Sequence, residues 1–297
     1  MTTIPNPKPP SELLEVAKII EIELDSCLKE QHLPPHLAEA ASYAVVNGGK
    51  RVRPALALLC CEAVGGTRKQ AMHAAVAVEL IHCFSLVHDD LPSIDNDDLR
   101  RGKPTLHIKS GEAMAVLAGD LLLPVAFTQL ISEEYTCNQQ AKLTQLLAKA
   151  TSDMVIGQVY DTLGGLPEHL EPLQQLEEIH KNKTGALIQC ACTMGAVCGN
   201  APEQEFEAIR TFGSAIGLMF QIVDDLIDLQ GTTEQVGKAT GKDEEAGKTT
   251  YPGTIGVEAS RVAVQELQNQ AENALQLLKF NTETLASLNL WMAHRSR

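Results

Sequence analysis

The fold is set by an unusually apolar run, which reads AMHAAVAVELIHCFSLVHDDLPSID over residues 71–95. Its apolar residues cover most of the circumference of a helix, and a helix of that kind is buried at the centre of a protein. A second such run spans residues 203–229 and contains the cluster Asp224-Asp225-Leu226-Ile227-Asp228 near its end. We therefore predict two central helices, over residues 68–90 and 203–229, each ending in aspartates.

Apolar residues recur at helical spacing along most of the remaining chain. The spacing predicts further helices beginning near Leu13 and over residues 36–46, 53–64, 110–131, 140–162, 172–198, 255–278 and 283–294. The alternating Val, Ile and Thr typical of strands is absent, and the breaks are short Gly- and Pro-containing turns. The sequence thus predicts an all-α fold of about ten helices in a single domain, residues 1–297, with a flexible N-terminal segment over residues 1–10.

The bulk composition narrows the possible functions. A net charge of −14 argues against nucleic acid as a partner, because nucleic-acid binding depends on Lys and Arg contacts to phosphates. No run reaches the roughly 18 uninterrupted apolar residues of a membrane span, and the polar start of the chain does not resemble a secretion signal. Eight cysteines without a disulfide-type spacing indicate reduced thiols and a cytoplasmic location.

The second aspartate cluster has the spacing of a metal site. Asp224 and Asp228 are four residues apart and share one helix face, whereas Asp225 points about 100° away. Like charges at this spacing repel unless a cation lies between them, and Mg²⁺ prefers carboxylate oxygens. The alternative is an acidic helix end that faces solvent.

The first cluster needs a break in the helix to act in the same way. Asp89 and Asp95 are six residues apart, which leaves them about 120° out of register on an ideal helix. Pro92 disturbs the helix and lets the two carboxylates converge. The segment Arg100-Arg101-Gly102-Lys103 follows, so that carboxylates for metal ions lie beside guanidinium groups for phosphate oxygens. The alternative is a solvated loop of mixed charge.

Another basic cluster lies in GGKRVRP, residues 48–54. Lys50 and Arg53 are three residues apart at a predicted helix start, where main-chain N–H groups also favour anions. The spacing is not that of a Walker A loop, and the segment also has the composition of an ordinary exposed turn. Lys183 and Lys238 are further basic candidates, and residues 231–250 have the composition of a mobile flap over a charged site.

Four strings together resemble one family. They are GGKRVRP (48–54), LVHDDLPSIDNDDLRRGKPT (86–105), KTGALI (183–188) and FQIVDDLID (220–228). In this order they resemble the trans-isoprenyl diphosphate synthases, most closely the farnesyl diphosphate synthases of the bacterial type. The resemblance implies a bundle of mostly antiparallel helices around a deep central cavity, a homodimer, and three Mg²⁺ ions in each active site.

The resemblance also implies a role for each matching residue. The implied catalytic residues are Asp89, Asp95, Asp224, Arg100, Lys183 and Lys238. The implied metal ligands are Asp89, Asp95 and Asp224, with Asp90, Asp225 and Asp228 as further ligands or their neighbours. The residues implied to bind the allylic diphosphate are Arg100, Lys183, Thr184, Gln221 and Lys238. The residues implied to bind isopentenyl diphosphate are Lys50, Arg53, His82 and Arg101.

The reaction implied by the resemblance is the joining of isopentenyl diphosphate to dimethylallyl or geranyl diphosphate. The allylic C–O bond ionises, the isopentenyl double bond attacks the carbocation, and a proton is lost. Phe84 and Ser85 precede Asp89 by five and four residues, in the positions that limit chain length in this family. The aromatic ring of Phe84 predicts a farnesyl (C15) product, and the alternative is geranylgeranyl diphosphate (C20).

Three other functions fit less of the sequence. A class I terpene cyclase has no use for the cluster at Lys50 and Arg53. A non-catalytic synthase subunit tends to lose aspartates, and both clusters are complete here. The pair His88-Asp89 also resembles the centre of HD-type metal phosphohydrolases, but that reading leaves the second aspartate cluster and the basic strings unexplained.

Overall fold

The chain is built almost wholly of helices in the computed structural model, which describes residues 9–46, 48–230 and 249–295. The α-helices are α1 Ser11–Lys29, α2 Pro35–Val46, α3 Val52–Ala63, α4 Arg68–Asp89, α5 Leu106–Ser110, α6 Glu112–Gln129, α7 Cys137–Leu163, α8 Pro172–His180, α9 Ala186–Cys198, α10 Glu203–Gln230, α11 Tyr251–Ile255, α12 Val257–Leu275 and α13 Glu283–His294. Strands β1 Leu99–Arg100 and β2 Lys103–Pro104 pair antiparallel. The predicted all-α fold is confirmed.

The core lies where α4 packs against α3, α6 and α9, and α9 in turn packs against α10. As predicted, α4 is buried over most of its surface, and Leu80 and Ile81 have no exposed area. Alanines at 74, 75 and 77 on the same helix are also fully buried, and their small side chains allow neighbouring helices to approach closely. Helix α9 therefore packs against both of the helices that carry the aspartate clusters, α4 and α10.

One predicted helix is interrupted in the structure, and another is shorter than predicted. The helix predicted over 172–198 is divided by a π-helical turn, Lys181–Gly185, between α8 and α9. The helix predicted over 110–131 begins at Glu112, after the short α5 has ended at Ser110. A π turn inserts an extra residue into a helix and is found most often at functional sites. Periodicity alone did not reveal it, because the apolar pattern continues through it.

Within the described ranges, two helices are long and apolar enough to cross a membrane by length and composition alone. They are α4 and α6, whose most apolar windows are 67% and 33% buried inside the protein. A buried core helix meets the same criteria, and α4 is such a helix. In α6 the low burial instead reflects apolar side chains on its outer face, among them Leu117, which is 57% exposed. Residues 1–8, and residues 231–248 of the flap predicted over 231–250, lie outside the described residues.

Candidate active site

The first aspartate cluster lies where α4 ends. Asp89 is the last helical residue, and the chain then doubles back so that the amide of Asp95 donates to the carbonyl oxygen of Asp89 at 2.9 Å. The amide of Asn96 closes the same turn by donating to the carbonyl of Leu91 at 3.1 Å. The predicted convergence of Asp89 and Asp95 is thus present in the backbone, and it follows from the turn that contains Pro92.

Asp89 carries an unbalanced negative charge. Its pKa is raised from 3.8 to about 6, first by burial and also by the neighbouring charges of Asp95 and Asp90. Lys183 and Arg100 act in the opposite direction but do not restore the ordinary value. A buried carboxylate with this balance needs a further cation to be stable in its ionised form.

Asp90 and Arg100 form a tight pair. The Nε of Arg100 donates to both carboxylate oxygens of Asp90 at 2.8 Å, and its Nη2 also donates to Oδ1. Asp90 is buried, and Asp97 lies 4.0 Å from the same guanidinium. The structure therefore places Asp90 as the residue that orients Arg100, a pairing that the sequence did not indicate. Its role as a metal ligand stays a prediction.

The second cluster lies on the unbroken helix α10, so that Asp224 and Asp228 keep the shared face predicted from their spacing. Asp225 points elsewhere. Its Oδ2 accepts from the amide of Tyr251 at 2.8 Å and lies 3.3 Å from Nε2 of His180. Asp225 therefore ties α10 to α8 and α11, and the geometry favours a supporting role for it beside the metal ligands.

Lys183 is presented by the π-helical turn. Its Nζ donates to Oδ2 of Asp161 on α7 at 2.6 Å. The turn can approach α7 this closely because position 157 is glycine, where a Cβ atom would lie 2.2 Å from the main-chain nitrogen of Lys183. Thr184 follows in the same turn, and both it and Gln221 on α10 are half-buried. Asp161 was missed from the sequence, since a lone aspartate on an amphipathic helix carries no signal.

Three of the four residues predicted for isopentenyl diphosphate, Arg53, His82 and Arg101, lie together, whereas Nζ of Lys50 lies over the ring of Trp291. Arg53 Nη1 is 3.4 Å from Nε2 of His82, and Nη1 of Arg101 donates to the carbonyl of Gly48. Burial and the neighbouring arginines lower the pKa of His82 well below its usual range, so the ring is neutral. Burial, with the charge of Arg101, also lowers the pKa of Arg53. Positive charges that crowd one another in this way are stabilised by an anionic ligand.

Arg51, in the same turn, has a different role. It pairs with the buried Glu79 at 2.7 Å and donates to the carbonyl of Val45. Its φ of 49° is in the left-handed region, which an arginine adopts only when surrounding contacts hold it. Arg51 therefore fixes the turn that presents Lys50 and Arg53.

The predicted chain-length residues lie one helical turn before Asp89. Phe84 is 8% exposed, and its ring packs edge-to-face on His88 at 4.9 Å between centroids. Ser85 donates to the carbonyl of His82 at 2.9 Å. His88 lies against α6 at Gly119, where a Cβ atom would be 2.2 Å from Nε2. The position of Phe84 thus depends on contacts with a neighbouring helix.

The described residues fit Mg²⁺ as a metal held jointly with a substrate. Among them, no three His, Cys, Asp or Glu side chains form a group that could hold a metal ion without other ligands. Mg²⁺ usually takes one or two carboxylates and completes its shell with waters and substrate phosphates. Asp89, with its raised pKa, and Asp224 supply such carboxylates. Lys238, the remaining predicted residue, lies outside the described residues.

Two carboxylate clusters thus lie beside a pocket of crowded arginines. The chain belongs to the polyprenyl synthetase family, a family of prenyl transferases, which matches residues 34–285. The family predicted from the sequence is therefore confirmed.

Individual relatives agree with this assignment. Geranylgeranyl pyrophosphate synthase 4 of Arabidopsis thaliana is 46% identical over 82% of this chain and 66% of its own length. The large subunit 1 of a heterodimeric geranylgeranyl pyrophosphate synthase of the same plant is 43% identical over 94% and 76%. Among solved structures, an FPP/GFPP synthase from Zymomonas mobilis has a TM-score of 0.82 and 34% identity, covering 95% of this chain and 99% of that one.

Proposed function

We propose that this chain condenses isopentenyl diphosphate with an allylic prenyl diphosphate in a Mg²⁺-dependent reaction. The observation that carries the proposal is a separation of charge. Incompletely balanced negative charge lies at Asp89, while Arg53 and Arg101 form a crowded cationic pocket around the neutral ring of His82. A single diphosphate could not satisfy both regions, whereas a metal-bound diphosphate and a second diphosphate could.

One set of residues binds the allylic diphosphate and another set binds isopentenyl diphosphate. Arg100, oriented by Asp90, and Lys183, held by Asp161, are in position to grip the allylic diphosphate. Mg²⁺, when bound, neutralises the charge that develops on the departing pyrophosphate. Lys50 and Arg53 hold the second diphosphate, to which the neutral His82 can donate a hydrogen bond. The buried apolar wall near Phe84 keeps water away from the carbocation.

For the product, the relatives favour geranylgeranyl diphosphate. Arabidopsis thaliana proteins with 43–46% identity carry that name, so we propose a C20 end product, the alternative in the sequence-based prediction. Farnesyl diphosphate, the main sequence-based prediction, is the second candidate. Phe84 favours it, because its ring is held at the expected floor of the cavity by His88.

For the assembly, we propose a homodimer formed through α6. Val116 and Leu117 on this helix are 38% and 57% exposed, and exposed apolar surface of this kind often marks an interface between subunits. One relative is named as a subunit of a heterodimer, so a related chain is an alternative partner. Light scattering during gel filtration of the purified chain distinguishes a dimer from a monomer. A cytoplasmic location also stays our proposal, supported by eight free cysteines.

The test is turnover with defined substrates. The purified chain is incubated with isopentenyl diphosphate and, separately, dimethylallyl, geranyl or farnesyl diphosphate, with Mg²⁺ or with EDTA. We expect Mg²⁺-dependent products, C20 as the longest, separated by chromatography. Asp89→Ala should abolish turnover, and Asp25→Ala, on the exposed face of α1, should not. An Asp89→Ala variant with ordinary Mg²⁺-dependent activity would refute the assignment.

A further inference from the structure

Arg295 occupies the second aspartate cluster. It directly follows α13, and its side chain is only 5% exposed. Nη2 lies 2.7 Å from Oδ1 of Asp224 and donates to the carbonyl of Phe220 at 2.9 Å. The guanidinium also stacks on the ring of Phe220 at 4.0 Å. A cation of the protein itself is thus bound to the carboxylate that we propose as a metal ligand.

The pairing and metal binding exclude each other on electrostatic grounds. A Mg²⁺ ion sits about 2 Å from its carboxylate oxygen. An ion on Oδ1 of Asp224, the oxygen that Arg295 contacts, would therefore lie within about 5 Å of the guanidinium. Two charges of like sign at that distance repel strongly in a partly buried site. Either Arg295 or the metal ion can hold Asp224, but not both in the observed geometry.

One hydrogen-bond donor of Arg295 is left without a partner among the described residues. Nε of Arg295 is buried and has no hydrogen-bond partner among the described residues. A buried donor left unpaired raises the free energy of the paired state, which lowers the barrier to its release.

Release of Arg295 would also change the electrostatic surroundings of Lys50. Trp291 lies one helical turn earlier on α13, and Nζ of Lys50 is 5.2 Å from the centroid of its ring. The charge of Arg295 acts on Lys50 directly: burial lowers the pKa of Lys50, and the positive charge of Arg295 lowers it further. Movement of Arg295 therefore changes the surroundings of Lys50, one of the predicted diphosphate ligands.

We propose that Arg295 is a built-in competitor of the metal ion at Asp224. In the metal-free chain it neutralises Asp224 and keeps α13 docked on α10. A divalent cation binds Asp224 only after Arg295 has left, and the departure of the guanidinium removes a contact that holds α13 on α10. The inference rests on the proposed function in one respect, namely that Asp224 is a metal ligand.

The first experiment measures metal binding without turnover. Mn²⁺, a paramagnetic substitute for Mg²⁺, is titrated into the full chain at a fixed concentration of inorganic pyrophosphate, and free Mn²⁺ is followed by electron paramagnetic resonance against a protein-free blank. If the paired state holds about nine molecules in ten, Arg295→Gln should bind Mn²⁺ about tenfold more tightly than the wild type. Arg295→Lys, which keeps the charge, should stay near the wild type. Arg261→Gln, an exposed arginine on α12, is the matched control.

A second measurement uses the wild type alone, in case Arg295→Gln does not fold. Trp291 is the single tryptophan of the chain, so its fluorescence reports on α13 only. Mg²⁺ should shift its emission at the concentration that saturates the metal site, and Asp224→Asn should abolish the shift. Equal Mn²⁺ affinity in the wild type and Arg295→Gln overturns the inference, as does an unresponsive Trp291.

Failure of this inference and failure of the proposed function are distinguishable. Turnover of the wild type with isopentenyl and geranyl diphosphates is measured in parallel. A wild type that turns over while Arg295→Gln binds Mn²⁺ no more tightly refutes only the competition. Tighter binding by Arg295→Gln in a chain without turnover supports the competition and refutes prenyl transfer.

Discussion

Replacing Asp89 with Asn should stabilise the metal-free protein while destroying its activity. The folded protein raises the pKa of Asp89 from 3.8 to about 6, chiefly through burial. A raised pKa means that the folded state disfavours the ionised carboxylate, and this difference corresponds to about 3 kcal/mol when the group is fully ionised. Asn has nearly the same shape and removes the charge.

The sign of the pH dependence follows from the same pKa values. Below about pH 4 Asp89 is protonated in both the folded and unfolded chains, so the charge contributes nothing. Between about pH 4 and 6 the unfolded chain ionises first, and the wild type loses stability relative to Asp89→Asn. Above about pH 7 the full difference in the free energy of unfolding between the wild type and Asp89→Asn is present. For a chain of 297 residues, about 3 kcal/mol raises Tm by about 5 °C.

The assay is thermal denaturation followed by circular dichroism, in EDTA, at several pH values from 4 to 8. Asp25→Asn, which removes an exposed carboxylate on α1, is the control and should change Tm little. Adding Mg²⁺ and pyrophosphate should raise the Tm of the wild type above that of Asp89→Asn, because only the wild type gains the full stabilisation from bound ligand. Two results would refute the reasoning. One is an Asp89→Asn variant whose Tm at pH 7.5 is no higher than that of the wild type, and the other is a Tm difference between the two proteins that is the same at all pH values.

Three further predictions concern the walls of the site. Phe84→Ala should yield products longer than those of the wild type by chromatography, because it removes the ring held by His88; an unchanged product length excludes Phe84 as the floor. Asp161→Asn should reduce kcat/KM for the allylic substrate about tenfold, since Lys183 loses its charged partner; an equal rise in KM for both substrates would contradict this role. Gly119→Ala should lower the free energy of unfolding by about 1–3 kcal/mol in urea, because the new Cβ overlaps His88; an unchanged midpoint contradicts the close packing.

Much of the site could be predicted from the sequence because its residues are grouped in short motifs. Asp89 and Asp95 lie six residues apart around a proline, and local backbone rules are sufficient to predict their convergence. Asp224 and Asp228 share a face through helical spacing alone. The partners of these residues were not predictable in the same way. Asp161 lies 22 residues from Lys183, and Arg295 lies more than 70 residues from Asp224.

The sequence by itself determined the helical class, the buried positions of α4 and α10, and the residue types of the candidate site, since periodicity and motif spacing are local properties of the chain. Only the tertiary structure decided which carboxylates are already neutralised. Asp90 is paired with Arg100, Asp225 with His180 and Tyr251, and Asp224 with Arg295. The last two of these pairings depend on where α8, α11 and α13 pack against α10. Such contacts join distant segments, and helical periodicity carries no record of them.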